Sequence, residues 1–248
     1  MNALRAEVLK AGTTRLLLWF GLGLVAFLVL VLSIHIGSHD PAGLGELSTQ
    51  RSVFGFAGLT AVIAILIGAV LVTAEYAHGT INQSFLAVPV RGKLLLAKLC
   101  AALTVAFVLA VGADLVTLLI AELWFHGRGV TLHLGSYTLA PLLGTVGASM
   151  LAAAIGIGIG ALFRRQTAAI VTILLWLLIG EAVIGILGDR ARFAPGRALG
   201  AVAVAHSQGV ADRLGAWPAV VLGLLYATVF CAVGFLVVLG SDVPSSGD

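Results

Sequence analysis

Few residues in this sequence have the type and spacing for chemistry. The stretch EYAHGTINQSFLAVPVRGKLLLAK, residues 75–98, stands between two long apolar runs. It carries one acid, three bases, the amide pair Asn82-Gln83 and a proline. A turn between two neighbouring helices needs only a few residues, so a connection of this length and mixed polarity asks for a reason. Three further acids interrupt runs that are otherwise free of charge: Asp114 and Glu181 within them, and Glu122 toward the end of its run beside Trp124. His35 and His39 have the i, i+4 spacing of helical metal ligands, but they flank Gly37 and Pro41 and read as a frayed helix end. No G-x-x-x-x-G-K-[ST] loop occurs, since Gly92-Lys93 is followed by leucines and lacks the upstream glycine. H-E-x-x-H and G-x-S-x-G are also missing, and Cys100 and Cys231 have no partner spacing. The sequence therefore offers no catalytic constellation and no metal site.

The elements that position these residues are set by the apolar blocks. Of 248 residues, 60% are hydrophobic and only 10% charged, too little polar side chain to cover a water-facing surface. Six blocks reach the roughly 20 residues that a helix needs to cross the hydrocarbon. They lie at 16–36, 53–75, 98–125, 137–163, 167–188 and 217–240. Backbone groups in a bilayer find no water, so these blocks must be helical. The fold class expected is an all-α polytopic membrane protein with a single transmembrane domain. The first block is too long for a signal-peptide core and is expected to be retained. Residues 1–15 form an N-terminal interfacial helix, with Leu4, Val8 and Ala11 on one face. The segment 189–216 contains Pro195-Gly196 and the short apolar run ALGAVAVA, and is either a re-entrant or interfacial piece or a plain outer loop.

Charge sets the orientation. Eight bases (Arg5, Lys10, Arg15, Arg91, Lys93, Lys98, Arg164 and Arg165) fall on the side of the N-terminus and six on the other, four of those six between the fifth and sixth blocks. Both termini are expected in the cytoplasm, with Trp124, Tyr137 and Trp217 at the outer interface. The scarcity of lysine and the abundance of Ala, Gly, Val and Leu suggest a GC-rich bacterial genome.

With the cytoplasmic side assigned, residues 75–98 resemble the corresponding region of the ABC-2 family of ATP-binding-cassette permeases, also called type V exporters. The elements are Glu75 at the inner end of the second span, Gly79-Thr80, Leu86, Pro89, Arg91, and Lys98 opening the third span. The N-terminal helix, six spans, the small-residue fourth span and the outer 5–6 segment extend the resemblance over nearly the whole chain. It implies that residues 76–97 hold a cytoplasmic coupling helix seated in a notch of a separate ATPase subunit. It further implies that ATP and Mg are bound on that partner and not on this chain. A second permease subunit, identical or related, would complete the assembly in the bilayer, with no nucleic acid involved.

The residue chemistry runs parallel. Gly79 suits a sharp helix end, Thr80 or Asn82 a cap, and Pro89 a stop. Phe85 and Leu86 offer an apolar anchor, and Arg91, Lys93 and Lys98 reach anionic headgroups. A long polar loop with snorkelling bases would share the basic residues. Glu75 either caps backbone donors or pairs with Arg91 or a partner's base. Substitutions at Glu75, Gly79 and Phe85 are expected to uncouple the machine without unfolding it. Asp114 and Glu181 share a depth about 24 Å above the inner boundary and either line a substrate path or are protonated and hydrogen-bonded to a neighbouring helix. Gly144, Ala148, Ala152, Gly156 and Gly160 form a ladder at four-residue spacing that packs helices within the chain. The function expected is the membrane subunit of an exporter for an amphiphilic substrate. The alternative is a proton- or ion-coupled secondary transporter relaying through Asp114 and Glu181.

Overall fold

In a computed structural model, the structure describes residues 5–7, 9–10, 15–81, 83, 86, 90–186, 188–203 and 214–240. These residues are helical throughout their elements, with no strand among them. The order is α1 (Arg15–Gly37), α2 (Pro41–Leu44), α3 (Leu47–Gly55), a 3-10 turn (Phe56–Leu59) and α4 (Thr60–Ala77). Next come α5 (Arg91–Gly127), α6 (Ser136–Phe163), α7 (Gln166–Leu175), a π turn (Trp176–Gly180) and α8 (Glu181–Gly185). A 3-10 segment (Gly188–Phe193), α9 (Pro195–Ala203) and α10 (Ala216–Gly240) complete the fold. Among the described residues, six stretches are long and apolar enough to cross a membrane, at Leu18–Gly37, Leu47–Ala77, Gly92–Gly127, Leu139–Phe163, Gln166–Gly185 and Ala216–Gly240.

Three boundaries differ from the sequence reading. The second span begins not at 53 but at Leu47, and a one-turn helix, α2, precedes it. Asp40 starts that turn: its carboxylate accepts the Gly43 amide at 2.9 Å, and Pro41 stands at the first helical position. The third span begins at Arg91 rather than 98, because RGKLLLAK contains no breaker after Gly92 and its leucines and lysines favour helix. The fifth span is interrupted by a π turn, which the apolar pattern gave no means to place. In the 5–6 segment, Pro195–Ala203 is a helix whose Ala198, Leu199, Ala201, Val202 and Ala203 are buried. The remainder of that segment, 204–213, and the sequence's Phe85 and Pro89 lie outside the described residues.

α6 is the hub of the core, and its small residues let other backbones reach it. A β-carbon on Gly156 would stand 2.0 Å from the Ile65 carbonyl oxygen of α4, and one on Gly160 would stand 2.6 Å from that of Ala69. Gly144 faces α9, 2.3 Å from the Val202 oxygen on the same construction. Ala148 and Ala152, between them, are buried. A stripe at four-residue spacing drifts around a 3.6-residue helix, so the ladder meets α9 at its N-terminal end and α4 toward its C-terminal end. Gly158 lies off the ladder and meets α10, 2.3 Å from the Phe230 carbonyl carbon, with Gly234 approaching in return.

The ends of the first three spans remote from Glu75 are clamped. Buried Gln50 donates to the carbonyls of Leu44 (3.2 Å) and Thr131 (3.1 Å) and accepts the His133 amide at 2.9 Å. Arg128 donates to the His39 carbonyl at 2.6 Å and lies 5.5 Å over the Trp124 ring. His35 and His39 stand with ring centroids 4.9 Å apart, and His35 packs on Phe56 and meets the Ser52 hydroxyl at 3.0 Å. No group of metal-ligating side chains occurs among the described residues.

Candidate functional site

Glu75 and Lys98 come together at the foot of α4 and α5. Lys98 is 1% exposed and Glu75 2% exposed. The Lys98 Nζ donates to Glu75 Oε1 at 2.8 Å and to Glu7 Oε2 at 2.9 Å, and Lys10 closes on Glu75. Two carboxylates and two ammoniums thus make a neutral cluster, the only arrangement that offsets the desolvation of charges at such depth. Glu7 and Lys10 are three residues apart in the helical N-terminal segment, hence on one face. Their opposite charges dock that segment onto the junction of the second and third spans. Arg91 opens α5 seven residues before Lys98. The burial of Glu75 in the cluster argues against expecting its removal to leave stability untouched. The sequence reading missed Glu7 and Lys10. Their signal was an acid and a base at helical spacing in one segment, facing an acid and a base of opposite order at two helix ends.

Immediately beyond Glu75 the chain turns in a Schellman motif. Gly79 has φ 67°; the Thr80 amide donates to the Glu75 carbonyl at 2.9 Å and the Gly79 amide to that of Tyr76 at 3.3 Å. Of the following segment, Leu86 stands 83% exposed.

Asp114 and Glu181 have separate surroundings. Asp114 is buried in α5 and its Oδ1 has no hydrogen-bond partner among the described residues. Glu181 is held: its Oε1 accepts the Trp176 indole N–H at 3.0 Å and the Gly196 backbone N–H at 2.7 Å. Trp176 and Glu181 are five residues apart, one π turn, so the widened helix stacks them on the same face. Gly196 is the second residue of α9, whose first amides have no intrahelical acceptor. A carboxylate there satisfies a donor and meets the positive end of the helix dipole. Glu181 thus tethers the fifth span to α9. Nearby, the Tyr226 hydroxyl donates to the Phe193 carbonyl at 2.6 Å.

Two apolar cavities flank α9. One, of about 440 Å³, lies between α9 and the outer part of the second span, against Phe56, Gly58 and Ala61. The other, of about 630 Å³, lies among α6, α7 and α10, against Ile159, Trp176, Tyr226 and Phe230, with Arg190 at its wall. Ile65, Leu177, Gly196 and Leu199 line both. Pockets of this size and character take drug-sized apolar bodies.

Comparison with known proteins is consistent with this arrangement. The model of a family described as ABC-2 family transporter protein matches residues 3–180, from the N-terminal segment through the π turn. None of the curated proteins compared matches the chain.

Proposed function

Because the chain belongs to the ABC-2 family of transporter proteins and is a multi-pass membrane permease of an ABC transporter, we propose that it moves an amphiphilic substrate out across a bacterial cytoplasmic membrane. ATP and Mg are bound by a separate ATPase subunit, two of which pair with two permease subunits. Both termini lie in the cytoplasm, and residues 76–90 dock on the ATPase, with Leu86 as an apolar contact. The cluster of Glu7, Lys10, Glu75 and Lys98 fixes the base from which that segment projects. Asp114 and Glu181 border the path, Glu181 by holding α9 between the two cavities.

The observation that carries the substrate class is the pair of apolar cavities separated only by residues such as Gly196 and Leu199. An apolar body lodged there would keep a polar end near Glu181 or Arg190. In the alternative, a proton or ion relay through Asp114 and Glu181, the oxygens without a partner among the described residues, Asp114 Oδ1 and Glu181 Oε2, would carry the charge, since Glu181 Oε1 is engaged by Trp176 and Gly196. The test is Leu199→Trp, which adds bulk at a residue lining both cavities, in the chain co-expressed with its ATPase. Pull-down of the ATPase should be unchanged while vesicle transport of an amphiphilic probe is lost. Transport at the unsubstituted rate would exclude α9 from the path. Hydrolysis of ATP by the chain alone would overturn the division of labour.

A further inference from the structure

A third cavity, of about 880 Å³, opens at the turn between α6 and α7, on the side of the membrane where the foot of α4 lies. Its walls include Tyr76, Ala77, Arg164, Arg165, Thr167 and Val171, and no acid is among its lining residues. Arg164 is held there in the left-handed region, φ 54°, which L side chains disfavour. One of its Nη atoms donates to the Val237 carbonyl in the last turn of α10 at 2.6 Å, fixing the guanidinium. Its Nε is buried with no hydrogen-bond partner among the described residues. The Arg165 side chain has no hydrogen-bond or ion-pair partner among the described residues either. Ile170 and exposed Val171 line the cavity beside the two arginines, so its rim is apolar while the interior holds two cations. Unmet guanidinium donors beneath an apolar rim match an anion that carries hydrocarbon. We propose that this cavity binds the anionic headgroup of a membrane phospholipid, from the leaflet on the side of the N-terminal segment, with Arg164 and Arg165 as phosphate ligands. Basic pockets between transmembrane helices recognise such headgroups, and guanidinium forks suit phosphate. The site is distinct from the two cavities at α9 and does not depend on the substrate proposed for them.

The full-length chain, purified in neutral detergent, is titrated with phosphatidylglycerol or phosphatidylcholine and bound lipid is counted by native mass spectrometry. The unsubstituted chain should retain phosphatidylglycerol in preference. Arg165→Gln, at an exposed position that does not threaten folding, should weaken that retention about fivefold, as loss of one lipid-facing base does. Val171→Trp should displace the lipid with no change of charge. Arg5→Gln, an exposed base outside the cavity, should leave retention unchanged. Equal retention of the two lipids would overturn the proposal. So would equal loss in Arg165→Gln and Arg5→Gln, which would mean general surface attraction. Displacement of the lipid by millimolar inorganic phosphate alone would assign the site to a free anion and overturn the lipid reading.

Discussion

Replacing Lys98 by methionine tests the buried cluster most directly. Lys98 touches both Glu7 and Glu75, and its side chain is 1% exposed. Removing one partner of a buried ion pair costs about 3 to 5 kcal/mol, because the other charge stays desolvated. Lys10 remains on Glu75, but its side chain is 53% exposed, so it offsets at most about 1 kcal/mol. The expected loss is therefore about 2 to 4 kcal/mol. Glu75→Gln leaves Lys98 with Glu7 and should cost about 1 to 3 kcal/mol. The double variant removes both buried charges at once. It should be more stable than the sum of the single losses predicts, by about 1 to 3 kcal/mol. Stability is read from unfolding of the purified chain in mixed micelles titrated with denaturing detergent. Hydrogen exchange supplies a second readout: residues 5–10 should lose protection in Lys98→Met, since the bond to Glu7 docks them. Strict additivity of the two substitutions, or unchanged protection of the N-terminal segment, would refute the cluster as a coupled unit.

Other substitutions probe separate features. Gly79→Val should cost about 1 to 2 kcal/mol from the left-handed backbone alone and lower ATPase stimulation by substrate in the assembled complex. Leu86→Asp should weaken pull-down of the ATPase by about 1 to 3 kcal/mol without moving the unfolding midpoint, as loss of an exposed anchor does. Gly156→Leu should reduce folded yield sharply, because its side chain would enter the Ile65 carbonyl; the folded fraction after detergent extraction measures this. Glu181→Gln, which keeps an acceptor for Gly196 but not the charge, should retain folding, and Glu181→Leu should cost about 0.5 to 2 kcal/mol as a lost helix cap.

The six spans were legible because a bilayer imposes a length and an apolar composition that nothing else in a sequence imitates. Gly79 was legible as a helix end for a similar reason: the left-handed conformation selects glycine. The four-residue ladder on α6 could be read as packing, but its partners could not, since Gly144 meets α9 and Gly156 meets α4 only through the crossing geometry. Gly158 faces yet another helix, and adjacent faces of a glycine-rich helix look alike in sequence. Glu7 and Lys10 were hidden by distance along the chain: ion pairs spanning 65 and 91 residues leave no local pattern. For Glu181 the sequence leaves open a substrate path or a hydrogen bond to a neighbouring helix, without saying which helix. Its partner is a backbone amide at the start of α9, and backbone donors carry no mark in a sequence. The π turn that aligns it with Trp176 is likewise invisible to an apolar count.

These contacts bear on how movement at the foot of α4 could reach the cavities. Between α4 and α6 the glycines bring backbone against backbone, so little side-chain compliance lies between them, and α10 meets α6 in the same way at Gly158 and Gly234. Packed interfaces of this kind shift as units rather than deform. A displacement at the Glu75–Lys98 cluster would thus be passed along α4 to α6 with little loss. α9 is attached differently: it rests on α6 through Gly144 but is tied to the fifth span through Glu181 and Gly196. Any motion of α6 relative to α7 and α8 must then be absorbed at α9, where both apolar cavities lie. That places a specific demand on the Glu181 tether. If the tether links the two parts, Glu181→Leu in the assembled transporter should leave ATP hydrolysis running while transport falls, because the foot still moves but α9 no longer follows the fifth span. Parallel loss of hydrolysis and transport would mean that Glu181 acts only through the stability of the fold.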